Sequence, residues 1–250
     1  MTTTKLSAAF TPKAFIPYLI AGDPDIETTV SNIQALTTGG ADAIELGIPF
    51  SDPVADGPDI QAGDLRAFAA GISVAGVFDI VAAARKFTDV PFILVTYANI
   101  PFKFGYDAFC ARCSELNVAA LIIPDLPLEE QGEIRPSADK YGISIIATVP
   151  LNSEPARIAA LAAPAEFALL QGDPTGVDLS ALTTSLKQAG VRSIVGLGSA
   201  DATQAATLAA SADGVSIDTT TVQLIAKQDA TTSQKLTELA ATLSAAVHGA

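Results

Sequence analysis

The sequence predicts an α/β protein, a single (β/α)8 TIM barrel, on three observations. Short apolar, β-rich runs recur along the chain, helix-length amphipathic stretches alternate with them, and 250 residues is an ordinary size for one closed barrel. Hydrophobic residues make up 49% of the chain and charged residues 16%, which supplies a large buried core and excludes a disordered chain.

The predicted strands are 14–20, 43–47, 91–96, 119–123, 144–149, 167–170, 193–195 and 214–217. Each is mostly apolar on both alternating faces, as expected for a parallel strand with helices outside and barrel side chains inside. Helical patterns fall between them at 26–38, 74–86, 107–116, 129–141, 153–162, 179–189 and 203–210, and a terminal packing helix is expected over 234–247. Gly39, Gly40, Gly142 and Gly190 follow helical stretches, where positive φ ends a helix at little cost. The gap between the second and third strands is about twice the others, leaving room for a long loop and an extra helix near 62–70. No linker composition appears before 228–233, so residues 1–250 are expected to form one domain. An open doubly wound sheet gives a similar alternation, and periodicity alone does not choose between the two. In a barrel, chemistry belongs at the C-terminal ends of the strands.

A formal net charge of −13 disfavours nucleic acid and anionic membrane surfaces as partners. The same field requires that any phosphate be held locally, by backbone amides and helix N-termini. No apolar run approaches the roughly 18–20 residues of a membrane span and no secretory signal pattern opens the chain, so a cytoplasmic location is expected. Cys110 and Cys113 share one face of a predicted helix and are expected to pack as small hydrophobes, with a metal or redox pair as the alternative.

Glu45 is the least expected residue, because it interrupts the apolar strand Ala43-Ile44-Glu45-Leu46-Gly47. If Ile44 and Leu46 face the helices, Glu45 faces the barrel mouth, where burial would raise its pKa toward neutrality and suit it to proton transfer. The competing expectation is an internal ion pair. The loop Gly47-Ile48-Pro49-Phe50-Ser51-Asp52-Pro53-Val54-Ala55-Asp56-Gly57-Pro58 follows, stiffened by its prolines. It could bring Asp56 back over the mouth as a second carboxylate, although Asp-Gly is also ordinary turn chemistry. Asp52 precedes a proline and Asp59 is placed to cap the next helix, which suggests structural roles for both. Asp125, after the fourth strand, is harder to assign to structure alone. No lysine falls in a predicted strand, which disfavours a Schiff base, and His248 lies in the terminal tail. Asp23, Asp25, Asp52, Asp56 and Asp59 offer oxygen ligands for a divalent metal as an alternative, one that no histidine or defined spacing supports.

Two stretches, Phe15-Ile16-Pro17-Tyr18-Leu19-Ile20-Ala21-Gly22-Asp23-Pro24 and the run from Ile44 to Pro58, closely resemble the tryptophan synthase α family. Thr96-Tyr97-Ala98-Asn99, Leu121-Ile122-Ile123-Pro124-Asp125-Leu126-Pro127 and Gly196-Leu197-Gly198 extend the resemblance over nearly the whole chain. The resemblance implies retro-aldol cleavage of indole-3-glycerol phosphate to indole and glyceraldehyde 3-phosphate. In that scheme Glu45 moves a proton at indole C3 and Asp56 supports the indole N–H. Tyr18, Ile60 and Val95 would line the indole pocket, and Asp125 would support the loop carrying Asp56. Thr175, Gly176, Leu197, Gly198 and Thr219 would complete the substrate site, with Phe167 in place of a pocket tyrosine. The resemblance also implies no cofactor and no metal in this chain, and an αββα assembly with a pyridoxal-phosphate β subunit contacted through the loop after the second strand.

Departures cluster in the last third. The loop after the sixth strand is the short Gln171-Gly172-Asp173-Pro174-Thr175-Gly176-Val177, with Gln171 in place of the family's arginine. At Ser216-Ile217-Asp218-Thr219-Thr220 the family usually has a Gly-Ser pair that binds phosphate at a helix N-terminus. Asp218 could turn outward as a helix cap, leaving its own amide, Thr219 and Gly198 for the phosphate, or it could repel the ligand. Two further readings follow from these departures: a catalytically degenerate member that binds and modulates a β subunit, and a barrel lyase for a non-phosphorylated substrate.

Overall fold

The computed structural model describes residues 6–199 and 201–250. Its strands are β1 (Ala14–Ile20), β2 (Ile44–Gly47), β3 (Phe92–Val95), β4 (Val118–Ile122), β5 (Ser144–Ile145), β6 (Ala147–Pro150), β7 (Phe167–Gln171), β8 (Arg192–Leu197) and β9 (Gly214–Ile217). All pairings are parallel, in the order β5-β4-β3-β2-β1-β9-β8-β7-β6. The two outer members of that order, β5 and β6, are consecutive pieces of one path. The first piece pairs with β4 at Ala120↔Ser144 and Leu121↔Ile145, the Ile146 N–H donates to the Leu121 carbonyl at 2.9 Å, and the second piece pairs with β7 from Ala147↔Ala168 onward. The sheet therefore closes around eight strand paths, which decides the open-sheet alternative in favour of the barrel. The strand predicted over 144–149 is broken at Ile146 because there it changes neighbours.

The helices are α1 (Ile26–Thr38), α2 (Pro58–Ala69), α3 (Val74–Ala84), α4 (Asn99–Phe104), α5 (Tyr106–Glu115), α6 (Arg135–Tyr141), α7 (Pro155–Ala162), α8 (Ser180–Gln188), α9 (Ala202–Ser211), α10 (Thr219–Ala226) and α11 (Thr232–His248). Two differ instructively from the sequence pattern. The extra helix near 62–70 is α2, which starts earlier because Pro58, lacking an N–H, is well suited to a first helical turn. Its N-cap is Gly57, so Asp59 is not the cap and instead accepts a hydrogen bond from Gln223 Nε2 at 3.1 Å. The helix predicted over 129–141 is only α6, preceded by a 3-10 turn at Leu128–Glu130, since Pro136 cannot donate inside a longer helix.

Alternation sorts the side chains into layers. Ile44 and Leu46 of β2 pack outward with α1 and α3, as do Phe15 and Leu19 of β1. Ala14, Ile16, Ile93, Phe167 and Ile194 face inward and form the lower barrel layer with Leu6 and Phe10, whose ring lies 5.0 Å from that of Phe167. Above them Tyr18, Ile20 and Val95 meet Ile60 and Ala67 of α2 and Val222 of α10. Cys110 and Cys113 are buried in the outer core with free thiols, and burial pushes Cys110 up to about 11 and Cys113 higher. His248 is not in a loose tail: it ends α11 and its Nε2 lies 2.8 Å from Asp42 Oδ2, whose carboxylate also accepts the Phe15 N–H. Among the described residues, no single helix is long and apolar enough to cross a membrane.

Gly40, Gly142 and Gly190 have the expected positive φ, but Gly39 is right-handed with φ −77°. Its glycine identity has another cause, since a Cβ there would stand 2.5 Å from Ala240 Cβ and 2.6 Å from the Thr237 carbonyl of α11. Gly39→Ala should therefore lower stability by about 1–3 kcal/mol by pushing α11 off α1, a fall of several degrees in Tm by differential scanning calorimetry. An unchanged Tm would mean that α11 yields without cost.

Candidate active site

The C-terminal ends of β1, β2 and β3 and the loops after β7, β8 and β9 enclose a cavity of about 230 Å³. Of the residues singled out from sequence, Tyr18, Glu45, Asp56, Ile60, Val95 and Gly198 line it together, and Asp218 joins them. Among its lining residues are three carboxylates and no lysine, arginine or histidine.

Glu45 occupies the inward position that alternation assigned to it and is only 4% exposed. Ser216 Oγ, on β9, donates to Glu45 Oε2 at 2.7 Å, while Glu45 Oε1 has no hydrogen-bond partner. The expected alternative of an internal ion pair is thereby set aside, because the partner is a hydroxyl. Burial raises the Glu45 pKa to about 7, opposed by the Ser216 hydrogen bond and reinforced by the nearby charge of Asp218.

Asp56 is held by Tyr97, whose hydroxyl donates to Asp56 Oδ2 at 2.8 Å and accepts the Ala55 N–H at 3.0 Å. The Tyr97 ring stacks on Phe50 with centroids 4.9 Å apart, tying the start of the same loop to the turn after β3. Gln61 Nε2 donates to the Asp56 carbonyl at 2.7 Å. Burial raises the Asp56 pKa, against the Tyr97 hydrogen bond and with a contribution from Asp218. Asp125 is exposed, and its Oδ1 accepts the Ala98 N–H at 2.9 Å, so its support of the Asp56 loop runs through the turn that carries Tyr97. Under that loop Asp64 of α2 is buried, and its pKa rises to about 7 through burial and the charges of Asp56 and Asp23. Arg66 is committed to Asp23 by two hydrogen bonds of 2.7 Å.

Tyr18 lies across the end of β2, and burial raises its hydroxyl pKa. A Cβ on Gly47 would stand 2.1 Å from the Tyr18 hydroxyl, so the ring fits only because that residue is glycine. Asp218 is the N-cap of α10 and accepts both the Thr219 N–H and, at 2.7 Å, the Thr219 hydroxyl. The cap expected to leave Thr219 available instead engages its donors.

Thr175, Gly176 and Leu197 are placed elsewhere, around a second cavity of about 180 Å³ that Pro174 and α9 also line. Phe167 is a correction: it is fully buried at the start of β7 in the lower barrel layer. Leu169, two residues further along the same inward face, lines the candidate active-site cavity, as do Leu170 and Gln171 at the end of the strand. Sequence reasoning also missed the roles of Ser216, Tyr97 and Asp64. Asp64 carries a signal, since it shares the buried face of α2 with Ile60, Gly63 and Ala67. Among the described residues, no group of three His, Cys, Asp or Glu side chains could hold a metal ion.

The chain matches the family model described as tryptophan synthase alpha chain over residues 6–248. It is 50% identical over 239 residues to the tryptophan synthase alpha chain of Lacticaseibacillus casei, covering 91% of this chain and 90% of that one. With the corresponding chain of Lactiplantibacillus plantarum identity is 46%, over 86% and 85% of the two. Among solved structures it resembles the tryptophan synthase alpha subunit of Legionella pneumophila, with TM-score 0.88, 30% identity and 99% of each chain covered. A tryptophan synthase from M. tuberculosis matches with TM-score 0.90 and 29% identity over 98% of this chain and 99% of that one.

A carboxyl whose folded pKa is raised stabilises the fold below its unfolded pKa and loses that contribution as pH rises through the folded value. For Glu45 the window runs from 4.5 to about 7 and is worth on the order of 3 kcal/mol. Glu45→Gln does not titrate, so its Tm relative to the wild type should be several degrees more favourable at pH 8 than at pH 4. A difference that ignores pH would refute the desolvated carboxylate.

Proposed function

The chain belongs to the tryptophan synthase alpha chain family and is an indole-3-glycerol phosphate lyase, and on that premise we propose that Glu45 and Asp56 are its catalytic pair. The observation that carries this reading is Glu45 itself, buried beside a cavity with one oxygen unpartnered and a pKa of about 7. A carboxyl with these properties is protonated for much of the time near neutrality and has an oxygen free to meet a substrate.

In the proposed reaction the indole ring lies among Tyr18, Ile60 and Val95 with its N–H toward Asp56. Glu45 donates its proton to indole C3, and the ring becomes an iminium whose positive charge lies next to the Asp56 carboxylate. The bond between C3 and the glycerol carbon then breaks, its electron pair neutralising the iminium to give indole. The hydroxyl on the departing carbon loses its proton to the Glu45 carboxylate and becomes the aldehyde of glyceraldehyde 3-phosphate. Glu45 ends protonated again, so one carboxyl serves as acid and then as base. Tyr97 keeps Asp56 aimed, and Gly198, which lines the cavity, and Thr219, which opens α10 next to Asp218, are assigned to the phosphate.

In this family the alpha chain carries no cofactor and pyridoxal phosphate belongs to the beta subunit. We further propose that residues 1–250 act as one cytoplasmic domain and pass indole to such a β subunit in an αββα assembly. The loop after β2 suits that contact, since Val54 stands 84% exposed on it.

The test is indole release from indole-3-glycerol phosphate by the purified chain, with and without its β subunit. Glu45→Gln should lower turnover by at least about 10²-fold, and near-normal turnover would remove Glu45 from this role. Because the donor form is lost as pH passes about 7, wild-type kcat/KM should fall above that pH, and a profile flat to pH 9 would contradict the assignment. Tyr97→Phe should lower kcat by about tenfold through loss of the hydrogen bond to Asp56. It should leave the high-pH limb in place, since that limb belongs to Glu45.

A further inference from the structure

A substrate phosphate must find its donors in a cavity that offers no basic side chain among its lining residues. The first turn of α10 is the available source, because the opening N–H groups of a helix point outward and favour an anion. The N–H groups of Thr219 and Thr220 are already engaged. The Asp218 carboxylate accepts the Thr219 N–H and, at 2.7 Å, the Thr219 hydroxyl, while the Thr220 N–H donates to the Gly198 carbonyl at 3.0 Å. Gly198 presses against this arrangement, since a Cβ there would lie 3.0 Å from Thr219 Oγ1 and 3.5 Å from Asp218 Oδ1. The same cavity holds the buried, unpartnered Glu45 Oε1, which marks it as a place where a ligand completes the hydrogen bonding.

We propose that Asp218 is a specificity-determining residue whose carboxylate stands where the substrate's phosphate must bind, so that phosphate-bearing ligands have to displace it from Thr219 while phosphate-free ligands do not. The proposal rests on the reading that indole-3-glycerol phosphate occupies this cavity. Binding then exchanges one anion for another at the head of α10, and the gain from the new helix-terminal hydrogen bonds is reduced by those lost to Asp218. If the carboxylate stays nearby, like-charge repulsion adds to that loss. Indole, which has no phosphate, meets none of this opposition. A second consequence reaches Glu45, whose cavity it shares with the titratable side chains of Tyr18, Asp56 and Asp218. The negative charge of Asp218 favours the protonated form of Glu45, so removing it should weaken Glu45's hold on its proton.

Asp218→Asn tests this, because it keeps the size of the side chain and an oxygen able to cap Thr219 but removes the charge. Calorimetric titration with glycerol 3-phosphate and with indole, at pH 6 on the whole chain, should show the phosphate ligand bound at least about tenfold more tightly by the variant. The affinity for indole should change by less than about twofold. The high-pH limb of kcat/KM should also move to lower pH, which a purely structural cap would not cause. Asp218→Ser, which retains a capping hydroxyl, serves as the second variant if the asparagine protein is not folded by circular dichroism. Glycerol 3-phosphate bound equally or less tightly by the folded variant would overturn the proposal, as would no binding by either protein or equal tightening of both ligands. Failure of the lyase reading is separately visible, as absence of indole release from the wild-type chain.

Discussion

A carboxylic acid buried at the end of β2, with one oxygen on Ser216 and the other on nothing, sets the terms for the site around it. Burial without a counter-ion disfavours the charged form, so Glu45 holds its proton far above the usual glutamate range. An arginine at the same distance would satisfy the residue and remove its proton at neutral pH. Arg66 of α2 is tied to Asp23 by two hydrogen bonds, and the carboxylates Asp56 and Asp218 face the cavity instead. The acidity of the surroundings is therefore part of how a glutamic acid near neutrality is maintained.

The second carboxylate needs different handling, because in the proposed reaction it has to remain negative beside a developing positive charge. Asp56 is half-buried and takes a hydrogen bond from Tyr97, which favours its ionised form more than burial alone would allow. Tyr97 is fixed in turn by stacking on Phe50 and by the Ala55 N–H, and the turn behind it is fixed by Asp125. Two carboxyl groups in one cavity are thus held differently, one by a serine hydroxyl in a buried position and the other by a tyrosine at a more open edge.

Much of this was legible in the sequence for definite reasons. Glu45 announced itself by breaking an apolar strand, and period-two alternation aimed it correctly. The barrel followed from repeated parallel-type strands, and the long gap after β2 contained α2 and the Asp56 loop as expected. What alternation could not supply was depth. Phe167 and Leu169 share an inward face, yet one is in the lower layer with Phe10 and the other reaches the cavity, because height is set by where the strand begins. Long-range pairings were equally hidden: Ser216 is 171 residues from Glu45, and nothing local to either residue announces the bond. Thr175, Gly176 and Leu197 were assigned by resemblance, and the short loop after β7 and the end of β8 put them around a neighbouring cavity instead.

The division between layers also explains how the protein tolerates such a site. Leu6, Phe10, Ile16, Phe167 and Ile194 fill the lower barrel with apolar side chains, and Ala240 and Leu243 of α11 pack among the buried residues of the outer core. Both regions lie away from the reacting groups, so their packing is not compromised by the needs of chemistry. Desolvating Glu45 costs stability above its pKa, and Asp64 adds a second buried carboxyl with the same preference for its proton. A protein with a large, separately packed core can carry two such groups in its upper layer. Relieving Glu45 by a neutral substitution would favour stability above its pKa while removing the proposed proton transfer, whereas the same change at Asp64 would act on the loop carrying Asp56, through the Phe50 N–H that Asp64 accepts.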